Sequence, residues 1–573
     1  MPLVRRFRVP ALSGALAVLI CALISRPYAD MGGEWTYIRS ALRLATTGKI
    51  LYNGWEAPML GWQLYLGAAF IKLFGFSITT VRMSTWLVAM TLAFLLQRVM
   101  VRAGISERNA VFGTLAFVLS PLYLTLSVCY TSDIFGLFAV VLCLYGCLRA
   151  LEASTDRACV AWICFAVAGN DICGTARQIV WLGVLVMVPS TLWLLRERRR
   201  VLIEGAVATL AGYVFVFACM RWMARQPYIN PEHLVVHRGQ EYPVLATLFH
   251  AFPEVLLLLL PILVPFLPEI RKSLRRSAAV LSVLSLAYLL ILLVLRWKHI
   301  TLHPLLEPTL GDVINVSGIN VNAILKGTPP VFLLNHWVRL LLTATVASGL
   351  IGLAASMLRT GGKPLPEGAP RTVSWAHLGV ILVPFSVVYS LILIPRAGQS
   401  LLVDRYLLEL ALVAAVCVVR YYQDCLQPKL PGSVLFLTGL LAIYGIACTH
   451  NTYSFYRARV RLAAELRAAG VPDTSVDNGW EYNIAVELQH ADYINWPAIV
   501  IPAHAYVPQP PLPAGTCPMF FHDVTPHIIP LYGVSFDPNA CYGPAPFAPV
   551  HYSRWPYRTR GTLYVVRYLP PKA

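Results

Sequence analysis

The chain has 573 residues, 57% of them hydrophobic and 13% charged, with a mean hydropathy of +0.63. A soluble protein of this size carries roughly 25% charge, so the composition excludes a soluble enzyme and predicts an α-helical polytopic membrane protein. The formal net charge of +18 does not by itself call for nucleic acid, because basic residues in such chains first serve to orient cytoplasmic loops.

In chain order, apolar runs near the ~20 residues that a bilayer core needs predict about thirteen spans. They fall at 10–25, 80–100, 109–127, 133–151, 158–170, 178–195, 202–220, 243–267, 278–295, 332–357, 376–394, 406–420 and 433–448. The opening R-R-F-R and apolar run also have the form of a secretory signal, but Pro27, three residues before the cut, disfavours cleavage. The apolar stretch 60–75 is short and holds Gln63 and Lys72, which predicts a helix lying at the interface. With the amino terminus cytoplasmic, Arg5, Arg6, Arg8, Arg196, Arg198, Arg199, Arg200, Arg271, Lys272, Arg275 and Arg276 fall on inner segments. The inner segments then carry roughly one Lys or Arg per three residues and the outer loops nearer one in nine. Thirteen spans place the carboxy terminus outside.

Residues 1–448 are therefore expected to form the transmembrane domain, with a first outer loop at 26–79 and a long outer loop at 296–335. Residues 449–573 form a smaller extracytoplasmic α/β domain. About one residue in five is Pro between Trp496 and Arg560, which excludes long helices there. Spacing predicts a helix over 456–470 and strand or turn material over 474–486 and 562–568. Of the 13 cysteines, only Cys517 and Cys541 sit well inside this domain, and an oxidising exterior would allow a bridge between them. The 12 aspartates are never two apart, so there is no D-x-D to hold a metal and a nucleotide-sugar diphosphate. No metal site is expected.

An ionisable group held near the bilayer costs ~2.5–3.5 kcal/mol at its centre and marks a functional candidate. In the first outer loop Asp30 and Glu34 are four apart and share a face if the loop turns helical; a solvated loop with an ordinary interfacial Trp and Tyr is the alternative. Further along, Asp133, Asp171 with Arg177 and Gln178, and Arg405 and Tyr406 sit at the same membrane face. Each is equally explained as an interfacial anchor. Together they suggest a site for an anionic, membrane-held substrate, because a guanidinium presents a planar fork that matches phosphate. The long outer loop, with His336 at its end, reads as a substrate-contacting lid or as a solvated loop.

Four stretches carry a family resemblance: Glu34-Trp-Thr-Tyr-Ile-Arg-Ser-Ala leading to Thr47-Gly-Lys-Ile-Leu-Tyr-Asn-Gly-Trp55, Phe70-Ile-Lys-Leu-Phe-Gly-Phe76 with Val81-Arg82, Thr131-Ser-Asp133, and Asp404-Arg-Tyr-Leu-Leu408. In this order and on this side they resemble the GT-C class of polytopic glycosyltransferases, of the protein O-mannosyltransferase and aminoarabinose transferase type. The segment Val476-Asp-Asn-Gly-Trp-Glu-Tyr-Asn483 resembles one found in bacterial members of unassigned substrate.

The resemblance implies an inverting transfer of a sugar from a polyprenyl-phosphate carrier to a glycan, lipid or protein acceptor, on the extracytoplasmic side of a bacterial inner membrane. The lipid-phosphate-linked sugar is itself the donor, and no separate cofactor is implied. An acid of the first outer loop, Glu34 or Asp30, would act as general base, and Arg177 and Arg405 would stabilise the departing phosphate. Gln178, Tyr406, Asp133, Asp171, Trp62, Gln63 and His336 would line the substrate site. The chain departs from the family pattern in three places. Gly33 precedes Glu34 where adjacent acids are usual, Glu56-Ala-Pro stands where the aminoarabinose branch has K-P-P, and Glu409 stands where Pro is common. The rival readings are a transporter or lipid flippase for a lipid-linked anionic substrate, and a catalytically inactive member of the class.

Overall fold

A computed structural model describes residues 34–55, 60–230, 256–297, 314–315, 317–319, 325–362, 373–397 and 404–570. The expected span 10–25, most of 243–267, and Asp30 lie outside the described residues.

Helix α1 (Trp35–Thr47) is followed by α2 (Trp62–Phe74), α3 (Ile78–Arg102), α4 (Glu107–Val118), α5 (Pro121–Ser127), α6 (Ser132–Glu152), α7 (Asp156–Gly174) and α8 (Arg199–Met223). After these come α9 (Leu274–Trp297), α10 (His336–Thr360), α11 (Trp375–Ala397), α12 (Leu408–Tyr421), α13 (Ser433–Ala468) and α14 (Trp480–Ala491). Among the described residues nine helices are long and apolar enough to cross a membrane, or ten if α4 and α5, bent by 69°, form one span. The protein is thus a multi-pass helical membrane protein. At 13 residues, α2 is about 20 Å long, too short to cross.

Local chemistry sets the boundaries. Ser77 caps α3 by accepting the Thr80 N–H at 3.0 Å, and the α4–α5 bend falls at Ser120-Pro121, where proline cannot continue a helix but opens one well. The bundle centres on α6, which has 72% of its most apolar stretch buried within the protein against 6% for α9; α9 therefore faces lipid. A Cβ on Gly146 of α6 would lie 2.8 Å from the Ala166 Cβ of α7, so a small residue is what lets these two helices close together. The expected span 178–195 is broken into a 3₁₀ turn, a π turn and a short α-helix. Asn170 satisfies the break: its Nδ2 donates to the Ala139 and Val180 carbonyls at 3.2 and 3.1 Å, and its Oδ1 accepts the Val184 N–H at 2.8 Å.

Strands β1 (Ile314–Asn315) and β2 (Gly318–Ile319) form a small hairpin; β3 (Val476–Asp477), β4 (Tyr532–Ser535), β5 (Val550–Tyr552) and β6 (Gly561–Arg567) form a sheet in the order β3-β4-β6-β5. The β3–β4 pair is parallel and the others antiparallel. The expectation of strand or turn over 474–486 is corrected: only β3 is strand, and α14 begins just past Gly479. The domain boundary at 448/449 falls inside the 36-residue α13, which runs from the bundle into the core of the C-terminal domain. Cys517 and Cys541 form a disulfide.

The sequence Val476-Asp-Asn-Gly-Trp-Glu-Tyr-Asn483 ties this domain together. Buried Arg459 of α13 donates to the Glu481 carboxylate at 2.9 Å and to Asn478, while Asp477 accepts from Asn483 at 2.8 Å and from the Tyr568 hydroxyl at 2.7 Å. A buried polar network whose members are paired fixes one arrangement of its elements. The domain docks on the first loop: Arg39 and Arg43 of α1 both pair with Asp492, and Trp55 packs against Trp480 and Trp496 with ring centroids at 4.3 and 4.9 Å.

Candidate functional site

Two polar clusters lie at the end of the bundle that faces the C-terminal domain, joined by residues 129–133 ahead of and at the start of α6. In the first, Glu34 at the head of α1 is 4% exposed. Its Oε1 accepts from Arg82 Nε at 2.8 Å and from Arg82 Nη2, and its Oε2 accepts the Tyr130 N–H. Arg82, itself 2% exposed, lies over the Tyr453 ring of α13 at 5.2 Å. Both oxygens of this carboxylate are engaged, which fixes α1 against α3 and α6.

The second cluster gathers Asp133, Arg177, Arg405, Tyr406, Glu409 and Tyr389. The Asn170-held break presents Arg177 in the turn after α7, and Gly136 makes room for its stem: a Cβ there would lie 3.3 Å from the Arg177 Cβ and Cδ. Arg177 Nη1 donates to Asp133 Oδ1 at 3.0 Å and lies 3.9 Å from Glu409 Oε1. Arg405 Nη1 lies 3.8 Å from Asp133 Oδ2. The Tyr406 ring lies beneath both guanidiniums, at 4.8 Å from Arg177 and 5.6 Å from Arg405. Asp404 accepts the Arg405 N–H and the Ile314 N–H, both at 2.8 Å, which pins the segment to the β1–β2 hairpin. Burial works against the charge on Arg177, but Glu409 and then Asp133 outweigh it and hold the guanidinium above the usual arginine range.

Among the described residues several buried atoms at this end find no hydrogen-bond partner: Asp133 Oδ2, Glu409 Oε1, Thr131 Oγ1, Trp62 Nε1 and both amide atoms of Gln63. Buried polar groups are normally satisfied, so these are the atoms that a polar ligand or water would complete. Trp62 packs on Phe135 at 5.0 Å, and its backbone N–H donates to Thr175 Oγ1 at 3.1 Å. The Gln63 carbonyl accepts the Tyr130 hydroxyl at 2.7 Å, so the entry of α2 abuts both clusters.

The structure thus brings Asp133, Arg177, Arg405 and Tyr406 together, with Trp62 and Gln63 beside them. Gln178 turns away to Met223 Sδ at 3.4 Å. Asp171 faces α8, where a Cβ on Gly212 would lie 2.8 Å from its Oδ2. His336 is exposed, its ring 5.0 Å from Trp337. Glu409 and Tyr389 were not anticipated as site residues; the signal for Glu409 was its place in an otherwise apolar run. Among the described residues no three His, Cys, Asp or Glu side chains converge as metal ligands would.

No family model matches the chain, and no curated protein matches it. Among solved structures, ArnT from Cupriavidus metallidurans bound to undecaprenyl phosphate is similar with a TM-score of 0.40 and 14% identity, over 98% of this chain and 99% of that one. The apo state of the same protein gives 0.35 and 15%, over 79% and 80%. The Archaeoglobus fulgidus oligosaccharyltransferase in its apo form gives 0.35 and 14%, over 80% of this chain and 58% of that one. At these scores the residues of the site, and not the likeness, carry the functional reading.

Proposed function

We propose that the protein is an integral membrane glycosyltransferase that moves a sugar from a polyprenyl-phosphate carrier to an acceptor on the extracytoplasmic side, where the C-terminal domain lies. The observation that carries this reading is the pair of guanidiniums, Arg177 and Arg405, that converge on Asp133 over one tyrosine ring. Two forks aimed at one point suit a phosphate, and a phosphate leaving group gathers charge as the glycosidic bond breaks. Displacement of that group by an acceptor hydroxyl, assisted by a carboxylate base, inverts the anomeric centre.

Glu34 has both oxygens engaged, which suits an anchor for the first loop better than a proton acceptor. The base in this reading is Asp30, four residues earlier in the sequence. Trp62 and Gln63 would contact the sugar.

The test is transfer by purified protein from a labelled polyprenyl-phosphate sugar to an extract of acceptors. Wild type transfers and Asp30→Asn does not. Unchanged transfer in the double variant Asp30→Asn/Glu34→Gln would sink the acid-base assignment, and directional uptake into proteoliposomes without transfer would place the protein among transporters instead.

A further inference from the structure

Arg177 and Arg405 are balanced by two carboxylates, Asp133 and Glu409, and the two acids are held differently. Asp133 Oδ1 takes a direct hydrogen bond from Arg177 at 3.0 Å. Glu409 is 0% exposed; the Tyr389 hydroxyl of α11 reaches its Oε2 at 2.8 Å, Arg177 stands off at 3.9 Å, and Oε1 has no hydrogen-bond partner. The groups that face Glu409 are Tyr389 from α11, Arg177 from the turn after α7 and Asp133 from α6. With both acids ionised these four side chains sum to zero charge, and buried Asp404 beside Arg405 adds no positive charge to them. An anionic phosphate set between the guanidiniums would leave this buried site with a surplus negative charge, which a low-dielectric interior disfavours strongly. Of the two acids, Glu409 gives up less by taking a proton, because no guanidinium is bonded to it directly.

We propose that Glu409 is a positioning residue that takes up one proton when a phosphate group binds between Arg177 and Arg405, so that carrier binding is coupled to protonation. Unliganded, its carboxylate helps hold Arg177 in place. Liganded, its protonated form releases Arg177 to the phosphate and donates from the carboxyl to a neighbouring acceptor. The inference rests on the reading of the two arginines as phosphate partners.

The probe is a short-chain polyprenyl phosphodiester, which stays a monoanion between pH 5.5 and 8.5, titrated against the full-length protein in detergent. Uptake of one proton per ligand weakens wild-type binding about tenfold for each pH unit above the point where Glu409 ionises. Glu409→Gln, neutral at every pH, should bind as tightly at pH 8 as wild type does at pH 5.5, with a flat profile. Calorimetry of wild type in two buffers of different ionisation enthalpy counts the protons directly and needs no variant. One proton supports the coupling. Binding with no proton uptake, or an equal slope in Glu409→Gln, overturns it while leaving the phosphate reading intact, and no binding by wild type overturns both.

Discussion

The Glu34–Arg82 pair separates an anchoring role from a catalytic one. Both side chains are almost fully buried, so solvent screening gives no discount. Replacing Glu34 by Leu removes the carboxylate to which Arg82 Nε and Nη2 donate, and breaking a buried pair in this way costs about 3–5 kcal/mol. Arg82→Met strands the carboxylate at a similar cost. Glu34→Gln keeps an acceptor oxygen but not the charge and should cost about 1.5–3 kcal/mol, the value of a hydrogen bond to a charged group. The double variant Glu34→Leu/Arg82→Met removes both members of the pair. Its loss includes the acceptor of the Tyr130 N–H, about 1–3 kcal/mol. Reversible denaturation in mixed micelles, arranged as a double-mutant cycle, should therefore give a double variant more stable than either single one would suggest. Asp30→Asn should lose transfer. Single-variant losses below about 1 kcal/mol that simply add would refute the anchoring role.

Arg405→Ala should weaken carrier binding about 10- to 100-fold, the worth of one charge-assisted contact, whereas Arg200→Ala, which breaks an exposed pair with Glu204, should leave it unchanged in the same titration. Gly479 has φ +78°, and a Cβ there would meet Arg459 Nη2 at 2.6 Å. Gly479→Ala should loosen the C-terminal domain by at least about 2 kcal/mol, read as protease sensitivity, against about 1 kcal/mol for Gly470→Ala, which has a similar φ but open space. Asp492 provides a pH test. Burial opposes its ionised form, but hydrogen bonds from Arg39 and Arg43 prevail and hold it below its ordinary value of 3.8. A lowered folded value means that its contribution is full above that ordinary value and is lost as pH falls through the lowered one. Hydrogen exchange in α1 should then be slower in wild type than in Asp492→Asn at neutral pH, and the difference should vanish in strong acid.

The spans were legible because a bilayer demands a length of apolar chain that little else requires: 80–100 was expected and Ile78–Arg102 is found. The shortness of α2 was legible for the same reason. The path through 474–486 was not, because the start of α14 depends on Gly479 fitting against Arg459 from a distant helix, and no local pattern encodes that fit. The site was partly legible. Residue type picked out Arg177 and Arg405, but not the break held by Asn170 that aims the first. Glu409 stood out only as a departure from the family motif, because its partners, Tyr389 and Arg177, meet it through tertiary packing. Gln178, adjacent to Arg177 in sequence, points elsewhere because the 3₁₀ turn rotates successive side chains apart.

The unbroken α13 makes the C-terminal domain a lever arm. Thirty-six residues give a rod about 54 Å long, of which a hydrocarbon layer takes about 30 Å, and Arg459 in the remainder is locked to Asn478 and to Glu481 of α14. Tilting its membrane half by about 10° carries the far end by about 4 Å, so the C-terminal domain cannot shift independently of the helix that borders Cys129 and Arg82.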